Sequence, residues 1–425
     1  MSVIPSAPLD LASMVTRLHE LLRDQPGAPS QAELRDACNA LYSSSLLKEE
    51  GRSVRARVII APPEAFAADG GPPDGVHAMR LSTSHPFNPN EIKRLSPAAA
   101  FFHSAVAIWP AKGRGFRIWG ILNTGPRWMN MVAGGRKPTG EGIPHPIIHV
   151  RDPGWLIFYD NYRLIGEWRG REFHGPRLDV FESPLLSERF AQLRSNMVAE
   201  LADGCLPENL SKEDYAEIAH LIAQQFIKRV INLVRTSGHG GSVVFLPEGA
   251  RGLETATRWI DCKYTAEEGH AAGVRFPHLM KSIIRRIGML CPPGSTLEDA
   301  RLIFQNSKDP ELDRLEEAFY ELARFFSDLM QVDGAMVVDQ RVGVIGFGGE
   351  IRVDRNVFQV SQAHDLMGTS LTEWNVQADG TRHRAVYRLC SVEPEVIGFV
   401  ISQDSQVRLI ANVDEAVIFW THSVI

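Results

Sequence analysis

Hydrophobic positions along the chain alternate between two periods, one suited to helices and one to strands. Leu11, Met14, Val15, Leu18, Leu21 and Leu22 recur at three- and four-residue spacing and predict an opening helix. A second helix is expected in SQAELRDACNALYSSSLLKEE, where Ser30 and Glu33 stand in capping-box spacing. From Arg52 to Phe173 the pattern shortens to strand-like runs: VRARVIIAP, FFHSAVAIWP, FRIWGILNT and PIIHVRDPGWLIFYDNYRLIGEW. Gly, Pro and Asn punctuate these runs, as turns of a sheet-rich domain require. A helical stretch, SPLLSERFAQLRSNMVAEL, follows.

The pattern then starts afresh. Ser211 and Asp214 stand as a capping box before a face made of Ile218, Leu221, Ile222, Phe226, Val230, Leu233 and Val234. SVVFLP reads as a short buried strand after glycines break that helix. A further helix starts at Asp309 as cap and Pro310 at the first position, with the stripe Leu312, Leu315, Phe319, Leu322, Phe326 and Leu329. AMVVDQRVGVIGFGGEI reads as a hairpin, TRHRAVYRLC as a helix, and EVIGFVIS, VRLIAN and EAVIFW as strands. The fold class is therefore α/β (α+β), with a helical start and β-rich domain over residues 1–205 and a second domain over 206–425.

Composition changes this picture little. The 425 residues are 44% hydrophobic and 23% charged, an ordinary globular balance. The net charge of −6 speaks against a nucleic-acid binder, so an anion site must be local. Five cysteines, Cys38, Cys205, Cys262, Cys291 and Cys390, form no CxxC pair and imply neither a disulfide framework nor a zinc site. The amino terminus lacks the pattern of a signal peptide, and no stretch reaches the roughly 18 apolar residues of a membrane span. A cytoplasmic location, away from membranes, is expected.

Candidate chemistry concentrates in ADGTRHRAVYRLC. Gly380 and Thr381 open a helix that carries Arg382, His383 and Arg384, with Arg388 one turn beyond Arg384. The first turn of a helix has unsatisfied N–H groups and the positive end of the dipole, which suits phosphate. A solvated basic face explains the same residues, and the stretch alone leaves both explanations open. Asp333, followed by Gly334 and Ala335, adds an acid before a strand; in isolation a plain turn is much the better explanation of it. An acid on one loop and an Arg/His/Arg helix start on another suit nucleotidyl transfer, with a divalent metal on the acid and phosphates on the arginines. Other chemistries lack their motifs: no GxSxG elbow accompanies His239-Gly240-Gly241-Ser242, and no P-loop or HExxH is present. Gly346 to Gly349 does not complete GxGxxG, and His278 and His364 read as structural.

Asp333-Gly334-Ala335 followed by Gly380-Thr381-Arg382-His383-Arg384 resembles the two ordered signatures of the diadenylate cyclase domain of the DNA-integrity-scanning protein and its relatives. The strand GGSVVFLP at Gly240 to Pro247 is similar to that family's glycine-started strand. Downstream, Ser402, Gln403 and Asp404 stand where the family has Ser-Glu-Glu. The resemblance covers the last half of the chain and implies a mixed central sheet flanked by helices. It further implies condensation of two ATP into cyclic di-AMP by at least a dimer with facing sites. In that scheme Asp333 and Asp404 hold Mg²⁺ or Mn²⁺, Arg382, His383 and Arg384 act on the triphosphate, and Gly334, Ala335, Gly380, Thr381 and Ser402 bind nucleotide. Gln403 departs from the acid of the family, and the segment between the signatures is longer than usual, expected as a loop beside the active site. A catalytically inactive nucleotide-binding sensor of the same fold is the alternative. The β-rich half resembles the probable sensor domains attached to such cyclases, with a ligand that its residues do not name. Trp109, Trp119, Trp155, Phe158 and Tyr159 there read as core.

Overall fold

The computed structural model describes residues 10–67, 70–71, 76–99, 104–124, 145–160, 163–170, 172–174, 179–190, 206–247, 250–267, 271–403 and 406–422. The chain divides into two compact units, Met1–Pro176 with Ile425, and Arg177–Val424. This division precedes the 205/206 boundary read from the sequence. Val180 and Phe181 are already core of the second unit, the Phe181 ring stacked 5.4 Å from Phe399.

In the first unit, helices α1 (Leu11–Leu22) and α2 (Gln31–Ser45) form as their stripes predict, with Ser30 and Glu33 completing the expected capping box. Two residue pairs, β1 (Lys48–Glu49) and β2 (Arg52–Ser53), make a minimal hairpin. The main sheet uses β3 (Ala56–Ile60), β4 (His77–Pro86), β5 (Ser104–Ala111), β6 (Gly115–Asn123), β7 (Pro146–Asp152), β8 (Trp155–Asp160), β9 (Arg163–Arg169) and β10 (Glu172–His174). Their order is β10-β9-β8-β7-β3-β5-β6-β4, and only the β3–β5 pair is parallel. Helix α3 (Pro89–Leu95), capped by Asn88, joins α1 and α2 over one sheet face. There Met14, Leu18, Leu34, Leu41 and Ile92 meet Val58, Ile108, Ile148 and Phe158.

The second unit is a mixed sheet between two helical layers. Its strands are β11 (Gly241–Phe245), β12 (Ile260–Thr265), β13 (Ala335–Val338), β14 (Val344–Ile351), β15 (Gln359–Ala363), β16 (Leu371–Asn375), β17 (Ile397–Ile401), β18 (Val407–Val413) and β19 (Ala416–His422). They lie in the order β12-β14-β13-β11-β17-β18-β19-β15-β16, with β11–β13 and β15–β19 parallel. The helices are α4 (Pro184–Arg189), α5 (Lys212–Ser237), α6 (Ala250–Trp259), α7 (Ala271–Leu290), α8 (Leu297–Asn306), α9 (Pro310–Met330) and α10 (Thr381–Val392).

Strand side chains alternate between the two faces and so build two cores. Val243, Phe245, Met336 and Phe399 face α5, α7, α8 and α9, where Phe226 lies 4.8 Å from Phe276 and 5.0 Å from Phe319. Val244, Val337, Val400, Ile410 and Phe419 face the other way, against Val386, Tyr387, Leu389 and Cys390 of α10. Asp309 caps α9 with Pro310 behind it, as expected. At α5 the Ser211 hydroxyl accepts from the Asp214 amide and donates to its carboxylate.

The long segment between the two signatures is not a loop beside the site. It supplies β14 and then the β15–β16 hairpin, which extends the sheet beyond β19 at its far edge. The helical stretch expected over 183–201 begins as α4, and its remainder from 191 lies outside the described residues.

Candidate functional site

Parallel β11 and β13 begin at the same end of the sheet, and antiparallel β17 finishes there, with Gly241 opposite Ile401 and Ser242 opposite Ala335. Three sequence-distant turns are thereby set side by side: His239–Gly240, Asp333–Gly334 and Ser402–Gln403. Two of them are possible only with glycine. At Gly240, φ is +66° and an added Cβ would sit 2.7 Å from the Ile401 carbonyl oxygen. At Gly334, φ is +117° and a Cβ would sit 2.5 Å from the carbonyl carbon of Gly348 and 2.7 Å from the Gly349 nitrogen. No L side chain fits that approach of two backbones. Ala335, buried, then starts β13.

The turn at Gly334 projects Asp333 outward. Its side chain is 90% exposed, and Oδ1 lies 3.9 Å from Nη2 of Arg382. Arg382 in turn donates from Nη1 to the His239 carbonyl oxygen at 3.4 Å. The helix start therefore meets both the Asp333 turn and the glycine turn. Lys263 on the edge strand β12 donates from Nζ to the Asp333 carbonyl oxygen at 3.4 Å. Sheet register brings Lys263 to the site, and no sequence motif announces it, while His239 arrives with the glycine turn that precedes β11.

Helix α10 differs from its neighbours at its first residue. Asp10, Ser30, Asn88, Ser211, Thr296 and Asp309 cap α1, α2, α3, α5, α8 and α9 with side-chain acceptors. Gly380 caps α10 with none, and nothing lies within 4 Å of where its Cβ would be. Gly380 thus offers no side-chain acceptor to the first amides of α10, which stand at the positive end of the dipole. Thr381 is exposed beside them and Arg382 half-buried. Arg384 is half-buried, and its Nε is enclosed with no hydrogen-bond partner among the described residues. An enclosed guanidinium N–H without an acceptor costs free energy that an anion would recover.

His383 lies elsewhere. It is buried on the sheet side of α10, its ring centroid 6.4 Å from that of Tyr387. The arginines on either side of it, Arg382 and Arg384, are less buried. Ser402 accepts from the Gln406 amide at 3.1 Å and closes the turn after β17. Gln403 is exposed in that turn, and Asp404 falls outside the described residues.

The donor set suits a hard divalent cation completed by phosphate oxygens more than a protein cage. Asp333 offers an exposed carboxylate, and no group of three His, Cys, Asp or Glu side chains gathers among the described residues. Mg²⁺ is commonly held by one or two carboxylates together with substrate phosphates.

Comparison with known proteins finds one likeness. Residues 23–123 match the family model of a probable sensor domain, DACNV. The match runs from the end of α1 through β6 and so covers the first part of the first unit. No curated protein and no solved structure matches the chain. Among the described residues, no helix is long and apolar enough to cross a membrane.

Proposed function

We propose that the second unit is a diadenylate cyclase that condenses two ATP into cyclic di-AMP, under the control of the amino-terminal sensor domain. One observation carries this: Asp333, the glycine turn and the basic, uncapped start of α10 converge on one end of one sheet, with Arg382 joining all three. In each half-reaction a ribose 3′-hydroxyl attacks the α-phosphate of the opposite ATP. An oxygen–phosphorus bond forms, the bond to the β-phosphate bridging oxygen breaks, the hydroxyl proton is lost and pyrophosphate leaves.

Asp333, with Asp404 as the second carboxylate, would hold Mg²⁺ or Mn²⁺, which neutralises phosphate charge when bound. Asp333 also orients the attacking hydroxyl and accepts its proton. The first amides of α10, Thr381, Arg382 and Arg384 bind the triphosphate and stabilise charge on departing pyrophosphate, the principal demand of such transfers. Gly334 and Ala335 present backbone to the nucleotide, and Ser402 hydrogen-bonds phosphate. His383 supports the helix from within. One unit holds one ATP, so two copies must face each other, and rate per subunit falls on dilution through dissociation of the dimer.

Gln403 favours a second reading, a nucleotide-binding sensor without turnover, because it replaces an acid of the resembled family. Calorimetric titration of ATP into the parent protein and Arg384→Ala tests the site itself. A charge-assisted bond of about 1.5–3 kcal/mol predicts roughly tenfold or greater loss of affinity. Equal affinity in the two proteins leaves α10 with only a solvated basic face.

A further inference from the structure

The residue just before the uncapped helix start, Asp379, is where a capping carboxylate could reach the amides of α10, yet it turns inward. Its side chain is 5% exposed, and Oδ2 accepts from Arg408 at 2.7 Å, the Trp374 indole at 2.9 Å and the Tyr387 hydroxyl at 3.1 Å. Arg408 also donates to the Tyr387 oxygen at 2.7 Å, with its guanidinium carbon 4.3 Å from the Phe419 ring centre and 5.0 Å from that of Trp374. Trp374 comes from β16, Tyr387 from the second turn of α10, Arg408 from β18 and Phe419 from β19. Burial pushes the Tyr387 hydroxyl well above its usual range, so it remains a donor.

A buried ion pair of this kind gives less stability than an apolar pair of the same volume, because both charges lose their water. Its geometric effect is larger. It fixes the residue preceding Gly380 from two strands and from α10 itself, with Phe419 of a third strand packed against Arg408. It also engages a carboxylate that would otherwise compete with an anion at the helix start.

We infer that Asp379, Arg408 and Tyr387 form a positioning clamp for the anion-binding start of α10, acting through the placement of Gly380, Arg382 and Arg384. The inference rests on the nucleotide reading for its ligand, and on geometry alone for its action on the helix. Asp379 and Arg408 are positioning residues, since neither side chain opens to the site.

The test uses the full chain with Asp379→Leu/Arg408→Met, an apolar pair that keeps the core filled, and Tyr387→Phe, which removes only the bridging hydroxyl. ATP affinity is read by calorimetry, and amide hydrogen exchange is read from Arg384 to Tyr387, the first bonded turn of α10. The clamp predicts a folded double variant with affinity reduced by about tenfold or more, faster exchange confined to that turn, and a smaller loss of the same kind in Tyr387→Phe. A folded double variant with parental affinity overturns it, whatever its exchange. If the double variant does not fold, Tyr387→Phe decides: parental affinity and exchange there overturn the clamp. If the parent itself binds no ATP, the nucleotide reading fails separately, and parental exchange in the variants overturns the clamp on its own terms.

Discussion

Replacing Gly334 with alanine probes the geometry that aims Asp333. At φ of +117° an L residue leaves its allowed regions, a strain of about 1–3 kcal/mol. The new Cβ would also lie 2.5 Å from the Gly348 carbonyl carbon, 2.7 Å from the Gly349 nitrogen and 2.9 Å from the Gly348 Cα. Carbon contacts settle near 3.5 Å, so β14 must retreat by about 1 Å, and the obstructing atoms are backbone, with Gly349 paired to Ala335 in the β13–β14 ladder. Overpacking of this kind costs about 1–3 kcal/mol more. A total loss of about 2–6 kcal/mol is a large share of the roughly 5–15 kcal/mol that holds a domain together. Gly380→Ala is the control: φ is −68°, the space is open, and only the preference for glycine over alanine at a helix cap is lost, about 1 kcal/mol or less. Urea unfolding followed by tryptophan fluorescence, read at the transition of the second unit, compares the two. Equal midpoints for Gly334→Ala and Gly380→Ala would refute the steric account of the Asp333 turn.

Asp333→Asn removes a charge from a side chain that is 90% exposed, so its unfolding midpoint stays within about 0.5 kcal/mol of the parent while turnover is abolished. Glu316→Ala strands Arg229, which is 1% exposed between α5 and α9 and bonded to that carboxylate, and lowers stability by about 3–5 kcal/mol in denaturant titration. The Arg286 guanidinium and the α9 amides hold Asp309 down at about 2 from its ordinary 3.8. Because the folded value is the lower one, this contribution is complete above the ordinary value and is lost as pH falls through about 2. Acid titration of Asp309→Asn should therefore show a shallower loss of stability across that window than the parent.

Periodicity revealed α1, α2, α5 and α9, because each buries one regular face, and β17 to β19 stood out as short apolar runs because they are buried on both faces. Strand β4 escaped it: HAMRLSTSHP lies at a sheet edge with no buried residue, so no apolar alternation marks it. The β15–β16 hairpin escaped for the same reason, β16 being exposed at four of its five positions. Pro277 lies inside the continuous helix α7, and a proline at such a position hides a helix in the sequence. The two ordered signatures were legible as residue types that suit phosphate and metal. The contacts of Lys263 and His239 were not, since the sheet brings them to Asp333 and Arg382 from far along the chain. Nothing in VRLIAN marks Arg408 as buried, because the partner that admits its charge, Asp379, comes from a distant turn.

The central claim is tested most directly by incubating the purified full chain with ATP and either Mg²⁺ or Mn²⁺ and separating the products by chromatography with mass detection. The account predicts cyclic di-AMP and pyrophosphate from the parent, in a ratio of about one to two, and none from Asp333→Asn. ATP bound by the parent but recovered unchanged with both metals would contradict it and leave a nucleotide sensor in place of an enzyme.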